Sequence, residues 1–412
     1  MLVLIEVTMK KRDANKKTIA LFSTLSFPIP AVCGGGVETL ITNLIDVNEE
    51  LNQVRFLVSS KYNKTACKKN YHNSDIYYFK NGILLSPVGL FLYIRWRYYR
   101  LRFKKSSQRN TTPMDFITYQ YRYIAKREKV DVIVLENPYR LEKFAALKDI
   151  VSEENIYYHL HWTESGNIID RQAIPNSISI SEYVKNEWIK DNPQFGKNYV
   201  VYNCVDVERF SARVKNRDEE REKLGFTKQD FVVLFCGRFT PEKGVDKLLD
   251  AFEIIHSNKE ERIKLLLIGS ANYSSPKSTS FSDNVIFRAK QMDNVVYLGY
   301  IPNQIIHLYF GISDILSVPS VWEEGAGLVA IEGMAAGLPL IITQSGGMVE
   351  YVTDDCAVKL PINDELPKSL ANAIVDLSKN PERRNAMGKA GRKRAERFTK
   401  KNYYKDFLKF FV

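Results

Sequence analysis

The stretch Cys236-Gly237-Arg238-Phe239-Thr240-Pro241-Glu242-Lys243-Gly244-Val245-Asp246 carries the first sign of chemistry: an apolar run ends in glycine and gives way to two cations in a Pro/Gly loop. Arginine presents a planar fork that matches phosphate oxygens, and lysine adds a mobile point charge. An ordinary strand–loop–helix turn with surface cations would look the same, so this stretch alone leaves the choice open. The second constellation is Pro319-Ser320-Val321-Trp322-Glu323-Glu324-Gly325-Ala326-Gly327-Leu328-Val329-Ala330-Ile331-Glu332. Its glycines precede a helix expected to begin near Leu328. Glycine lets a ligand approach the backbone, and free N–H groups at a helix start suit phosphate. Glu324 falls in the loop and Glu332 about one turn inside the helix. Carboxylates accept hydrogen bonds from sugar and ribose hydroxyls. For Glu332 the alternative is an acid that merely complements the helix dipole.

No D-x-D triplet occurs in the chain, so the short acidic pair that often holds a diphosphate-bound metal is missing. Arg238, Lys243 and the helix start would have to neutralise a leaving diphosphate by themselves. The expectation is therefore no cofactor and no metal. The five cysteines (Cys33, Cys67, Cys204, Cys236, Cys356) are dispersed without paired spacing, which argues against a zinc site or a disulfide framework and fits a reducing, cytoplasmic setting.

Short apolar runs alternate with helical segments, the pattern of an α/β protein with parallel sheets. Strands are expected at Thr18–Ser23, Val54–Ser59, Val130–Leu135, Ile156–His161, Ser177–Ile180 and Tyr199–Asn203. In the second half they are expected at Phe231–Cys236, Lys264–Gly269, Val295–Leu298, Ile315–Val318, Leu340–Thr343 and Ala357–Leu360. The runs are rich in Val, Ile, Leu and Phe rather than alternating, as in sheets covered on both faces. The charged stretch Val205–Arg221 marks the boundary between two doubly wound domains, 1–205 and 206–397, with a return helix at about 398–412. Ligands are expected at the carboxyl ends of the strands, in the cleft between the domains.

Together these residues resemble family 4 of the retaining glycosyltransferases, the group 1 glycosyltransferases, whose GT-B fold is two facing Rossmann-like domains. The resemblance runs from Ala31 to the end. It is strongest over Gly237–Phe252 and Pro319–Glu350, with the E-x7-E pair Glu324 and Glu332. Asn203-Cys204-Val205-Asp206, Ile180-Ser181-Glu182-Tyr183-Val184 and Gly34-Gly35-Gly36 followed by Glu38 agree with it. The resemblance implies that Arg238 and Lys243 bind the donor diphosphate, with the amides of Gly327 and Leu328 on the phosphates. It implies that Glu324 holds hydroxyls of the transferred sugar and Glu332 the ribose. Gly35 and Gly36 would approach donor and acceptor from the first domain, and His161 would sit over the reacting centre. His159, two residues away, shares a strand face with it, and a core histidine is the alternative for either. The chain departs from the family at Ala326, where Phe is common, at Cys204, where Gly is common, and at Trp162-Thr163-Glu164, where an acidic residue commonly follows the histidine.

The resemblance thus implies transfer, with retention, of a sugar from a nucleotide diphosphate, UDP by the family's habit, to a glycan or lipid-linked acceptor in envelope or polysaccharide assembly. A sugar-nucleotide epimerase or phosphorylase on the same fold, and a catalytically silent partner protein, are the rival classes. The formal charge is +11, and from Asn81 to Met114 there are seven Lys/Arg and no Asp or Glu. The basic–aromatic run Arg95–Lys105 fits nucleic acid, an anionic membrane surface, an anionic acceptor or a solvated helix face in a basic protein, although on a helical wheel it does not separate into clean faces. No other feature suggests nucleic acid. The apolar opening Met1–Met9 is too short to span a bilayer, and the basic residues follow it, the reverse of a signal peptide. A cytoplasmic protein, peripheral on the inner face of the membrane, is the expectation.

Overall fold

The computed structural model describes residues 15–33, 35–104, 115–136, 141–163, 174–190, 196–271 and 278–412. The apolar opening Met1–Met9, Gly34, Lys105 and Glu164 lie outside them. The chain forms two compact units, one of residues up to Val201 together with Tyr404–Val412, the other Tyr202–Tyr403.

The first unit is built on eight strands: β1 (Thr18–Ser23), β2 (Arg55–Lys61), β3 (Ser74–Lys80), β4 (Ile83–Leu84), β5 (Val132–Glu136), β6 (Ile156–Leu160), β7 (Asn176–Ser179) and β8 (Asn198–Val200). Their order is β4-β3-β2-β1-β5-β6-β7-β8, parallel except for the β3–β4 pair. Every residue of β1, β5 and β6 is buried, including the polar Thr18, Ser23, Glu136 and His159 set among their apolar residues. In register, Ser23 pairs with Glu136 and Glu136 with His159, so the ends of these three strands meet at one edge of the sheet. Helix α1 (Gly36–Leu51) follows β1 from the same edge. Helices α2 (Pro87–Lys104) and α3 (Phe116–Arg127) precede β5.

The six strands anticipated here are present, β1 with the expected bounds and the other five with shifted ends; β6 stops at Leu160, leaving His161 one residue beyond it. Strands β3 and β4 were not anticipated. The only apolar run in Ser74–Lys80 is the short Ile76-Tyr77-Tyr78-Phe79, which alternates partly exposed and buried positions and is flanked by polar residues, so it is easily passed over as a strand.

The second unit holds β9 (Phe231–Cys236), β10 (Ile263–Ile268), β11 (Val295–Gly299), β12 (Ile315–Val318), β13 (Leu340–Thr343) and β14 (Ala357–Leu360). All are parallel, in the order β11-β10-β9-β12-β13-β14. Helices α4 (Val245–Ser257) and α5 (Leu328–Ala336) follow β9 and β12. Because β9 and β12 are neighbours, the loops that leave their carboxyl ends emerge side by side. Val233, Leu249, Phe252 and Leu265 are fully buried in the core beneath them. Burying such a side chain contributes roughly 1.5–3 kcal/mol.

The division falls at Val201/Tyr202 rather than after Val205, because Tyr202–Val205 are bonded into the second unit. The Asn203 N–H donates to the Tyr351 hydroxyl (3.0 Å), and the Val205 N–H donates to the Phe398 carbonyl (3.1 Å). Phe398 also packs on Tyr351, so the chain returns to the first unit at Tyr404, within helix α6 (Lys400–Leu408). There the Tyr404 hydroxyl donates to Asn48 Oδ1 (2.7 Å), and Phe410 stacks on Tyr199.

Candidate active site

In the second unit the two motif loops are held together, although their key residues are 81 positions apart. Lys243 Nζ donates to Glu324 Oε1 in an ion pair, and the Ser320 hydroxyl donates to the same oxygen at 2.6 Å. Backbone bonds tie the loops further: the Val321 N–H donates to the Glu242 carbonyl at 2.9 Å. Behind them the Glu324 N–H donates to Ser345 Oγ (2.9 Å), and the Gly347 N–H donates to the Glu324 carbonyl (2.7 Å). The Gly346-Gly347-Met348 stretch is thus a brace for the Glu324 loop. The Glu350 carboxylate accepts from the Tyr202 hydroxyl at 3.0 Å.

Gly327 is the N-cap of α5, with φ 74°, and no side chain caps the helix start. A Cβ there would come within 2.8 Å of the Met348 side chain, so both backbone and space call for glycine. The Leu328 and Val329 amides that open α5 have no intrahelical acceptor and no capping side chain, which suits an anion, while the Ala330 N–H donates to the Gly327 carbonyl at 2.9 Å. Arg238 is exposed two residues beyond β9. The neighbouring Thr240 hydroxyl, and then the charges of Arg238 and Lys243, draw the Glu242 carboxyl down. Glu332 lies in the second turn of α5. Part of the residue remains accessible but the carboxyl is enclosed, and burial raises it to about 7 while the Arg209 charge opposes the shift. Glu332 in turn adds to the effect of burial in raising the Cys236 thiol. Ala326 is buried where the family commonly has Phe.

In the first unit Gly35 caps α1 with φ 101°, and Gly36 is the helix's first residue. The Gly35 φ of 101° favours glycine, and a Cβ there would lie 2.3 Å from Glu38 Oε2, so the buried Glu38 side chain would have to shift. Burial raises the Glu38 carboxyl, and the charge of Glu136 adds to the shift.

Glu136 ends β5 and is buried, and it was not anticipated from the sequence. His161 Nε2 lies 2.8 Å from Glu136 Oε2 in a hydrogen bond. His159 Nδ1 lies 3.0 Å from the same oxygen without forming one, and the two imidazole rings are 4.1 Å apart. Burial, then the neighbouring His159, hold His161 down to about 4. Burial alone would raise Glu136, but the two histidines overcome it and bring the carboxyl to about 2. At neutral pH the pair is thus a carboxylate and a neutral imidazole. The bond to a carboxylate fixes the proton on His161 Nε2 and leaves Nδ1 as an acceptor. Glu136, His159 and His161 place three ligand-type atoms within 4.8 Å of one another, the one grouping among the described residues with metal-ligand spacing. The signal in the sequence was a carboxylate closing an otherwise apolar strand, Val-Ile-Val-Leu-Glu, with a His-x-His on the next one.

Residues 216–394 match the family model of group 1 glycosyl transferases. Spore coat protein SA of Bacillus subtilis is 28% identical over 54% of this chain and 61% of its own length, so the chain spans less than two thirds of that relative. The lipopolysaccharide 1,2-N-acetylglucosaminetransferase of Salmonella typhimurium is 27% identical over 82% of this chain and 83% of its own. Among solved structures, Anabaena Alr3699/HepE in complex with UDP superposes with a TM-score of 0.70 at 19% identity, covering 96% of this chain and 99% of that one. The fold is accordingly GT-B.

Proposed function

We propose, from a chain whose residues 216–394 belong to the group 1 glycosyl transferases and whose fold is GT-B, that it transfers a sugar from a nucleotide diphosphate to a hydroxyl of a glycan or lipid-linked acceptor. The observation that carries this reading is the Lys243–Glu324–Ser320 contact beside the uncapped start of α5. It places one cation, one sugar-type acceptor and free amides within two adjacent loops. A diphosphate would draw Lys243 away from Glu324, and the released carboxylate would take hydroxyls of the sugar. Arg238 and the Gly327 and Leu328 amides would share the phosphate charge, and Glu332 would accept from the ribose.

Transfer then proceeds with retention and without a metal. The bond from the anomeric carbon to the phosphate oxygen breaks, and a bond to the acceptor oxygen forms on the same face. The departing phosphate oxygen takes the acceptor's proton. Fixed positive groups stabilise the leaving charge in a low-dielectric site, which is where such groups act most strongly. In the first unit, neutral His161 supplies a hydrogen-bond acceptor for a sugar hydroxyl, held by Glu136. UDP is the favoured nucleotide, since the structurally similar Anabaena protein was solved with UDP and with UDP-glucose. Envelope or polysaccharide assembly is the favoured setting, in keeping with the Salmonella relative's name.

The test is release of free nucleoside diphosphate from UDP-, GDP- and ADP-sugars, with a bacterial lipid and glycan extract as acceptor. We expect one nucleotide to be used, with or without EDTA, and the product to keep the donor's anomeric configuration. A change in the donor sugar without any nucleotide release would instead identify an epimerase.

A further inference from the structure

Helix α2 is not used by the proposed transfer, and among the described residues of the first unit its exposed face is unlike any other. Its inner face is settled by contacts: Leu92 is buried, and Tyr93 and Trp96 pack on Phe116 of α3 with ring centroids 5.4 and 5.2 Å apart. The outer face is therefore fixed as well. It presents Leu90, Phe91, Ile94 and Tyr98, which are 64, 60, 61 and 66% exposed. At 3.6 residues per turn these four side chains fall within an arc of roughly 100°. Arg95 lies just beyond one edge of that arc and Arg97 just beyond the other. Both are exposed, and the Arg97 guanidinium lies 6.0 Å from the Tyr93 ring centroid. The clean separation that is missing from the run Arg95–Lys105 is present one turn earlier, with an apolar centre between two arginines.

A large apolar face left in water marks a docking surface. Charge selects the occupant. The stretch from Asn81 to Met114 has seven Lys/Arg and no acidic residue, so two copies meeting through this face would bring like charges together. An anionic bilayer has the complementary character, because apolar side chains enter the acyl boundary while flanking arginines reach the phosphates. No helix of the described residues is long and apolar enough to cross a membrane, so α2 would lie in the interface plane.

We propose that the Leu90–Tyr98 face of α2 docks the protein on an anionic lipid surface. This deepens the reading of a lipid-linked acceptor, but the binding is measured without donor or acceptor and stands or falls separately from it.

The experiment is flotation of the full chain with phosphatidylcholine vesicles, with and without phosphatidylglycerol, at low and high salt. We expect binding only when the anionic lipid is present, weakening as salt rises. Phe91→Ser with Ile94→Ser should reduce it at least about tenfold at any salt, from the loss of two buried apolar side chains. Arg95→Gln with Arg97→Gln should reduce it by about fivefold per arginine, and should flatten the salt dependence. Unchanged melting behaviour in each variant confirms that it folds. If the serine variants do not fold, a fluorophore on Ile94→Cys should shift to the blue when anionic vesicles are added. Equal binding to both vesicle types, no fluorophore shift, or a concentration-dependent dimer that the serine variants dissolve would overturn the proposal.

Discussion

The two units place charged groups at the same structural position, the carboxyl edge of a parallel sheet, and treat them in opposite ways. In the second unit, Lys243 and Glu324 are half-buried, with side-chain exposures of 27 and 17%, and each belongs to a loop. In the first, Glu136 and His161 are 1 and 5% exposed, on or beside strands, with the protonation of His161 set by burial and the neighbouring His159, and that of Glu136 by burial, which the two histidines overcome. An ion pair open to solvent is worth little as a contact and can be exchanged for a ligand. A buried carboxylate–imidazole pair is costly to break and serves to hold one proton in place. Polar contacts at one edge can thus be made for exchange or for permanence, and burial tells them apart.

The sharpest separation should come from Lys243→Ala. We expect kcat/KM to fall about 10²–10³-fold, or ~2.7–4 kcal/mol of transition-state stabilisation, as when a fixed electrostatic donor is removed. Its melting temperature should scarcely move. A large loss of stability with intact turnover would reverse the contrast.

Next in size is Glu136→Gln, which should cost about 1–3 kcal/mol in denaturant unfolding, because it disturbs a buried charge-assisted bond. Histidine nitrogen NMR should then show His161 losing its single tautomer, a change that mere loosening of the core would not select.

A smaller, pH-dependent effect is expected at Glu332. Its carboxyl sits near 7, so the better acceptor form grows between pH 6 and 8. Donor affinity measured by calorimetry should rise several-fold over that interval, and Glu332→Gln should flatten the curve. Apart from ligand, the same raised carboxyl makes a stability contribution that is lost as pH rises from about 4.3, its unfolded value, through about 7.

The smallest signal is acid stability in the first unit. His161 is held near 4, below the unfolded value of about 6.5, so the unfolded chain takes up the proton first as pH falls. Its contribution is present above about pH 6.5 and lost on the way down through 4. That of Glu136, held near 2, is lost lower still, from about 4.3 downwards. Thermal scans should show a shallower loss below pH 6.5 in His161→Gln.

The donor side was legible because its signals are local. The six described strands of the second unit are short runs rich in Val, Ile, Leu and Phe, broken by single residues such as Lys264, Ser317 and Lys359, and the glycines, cations and carboxylates stand together after β9 and β12. What could not be read was the ion pair between Lys243 and Glu324, which exists only because β9 and β12 are neighbours in the sheet. In the first unit, Glu136 is hard to read from sequence because its partners lie on and just beyond another strand, 23 and 25 residues further along. Strand β3 escaped because its aromatic residues are embedded in polar sequence. The outward face of α2 depends on which side packs against α3, which periodicity alone does not decide when both sides carry aromatics.

The most direct test of the donor site is thermal stability with UDP against uridine, with and without EDTA, in the wild type and in Lys243→Ala. We expect UDP at a hundredfold its Kd to stabilise the wild type by about 2.7 kcal/mol, uridine to do far less, EDTA to change nothing, and the effect of UDP to collapse in the variant. A UDP effect that EDTA abolishes, or that survives undiminished in Lys243→Ala, would contradict a diphosphate held by this chain's own charges.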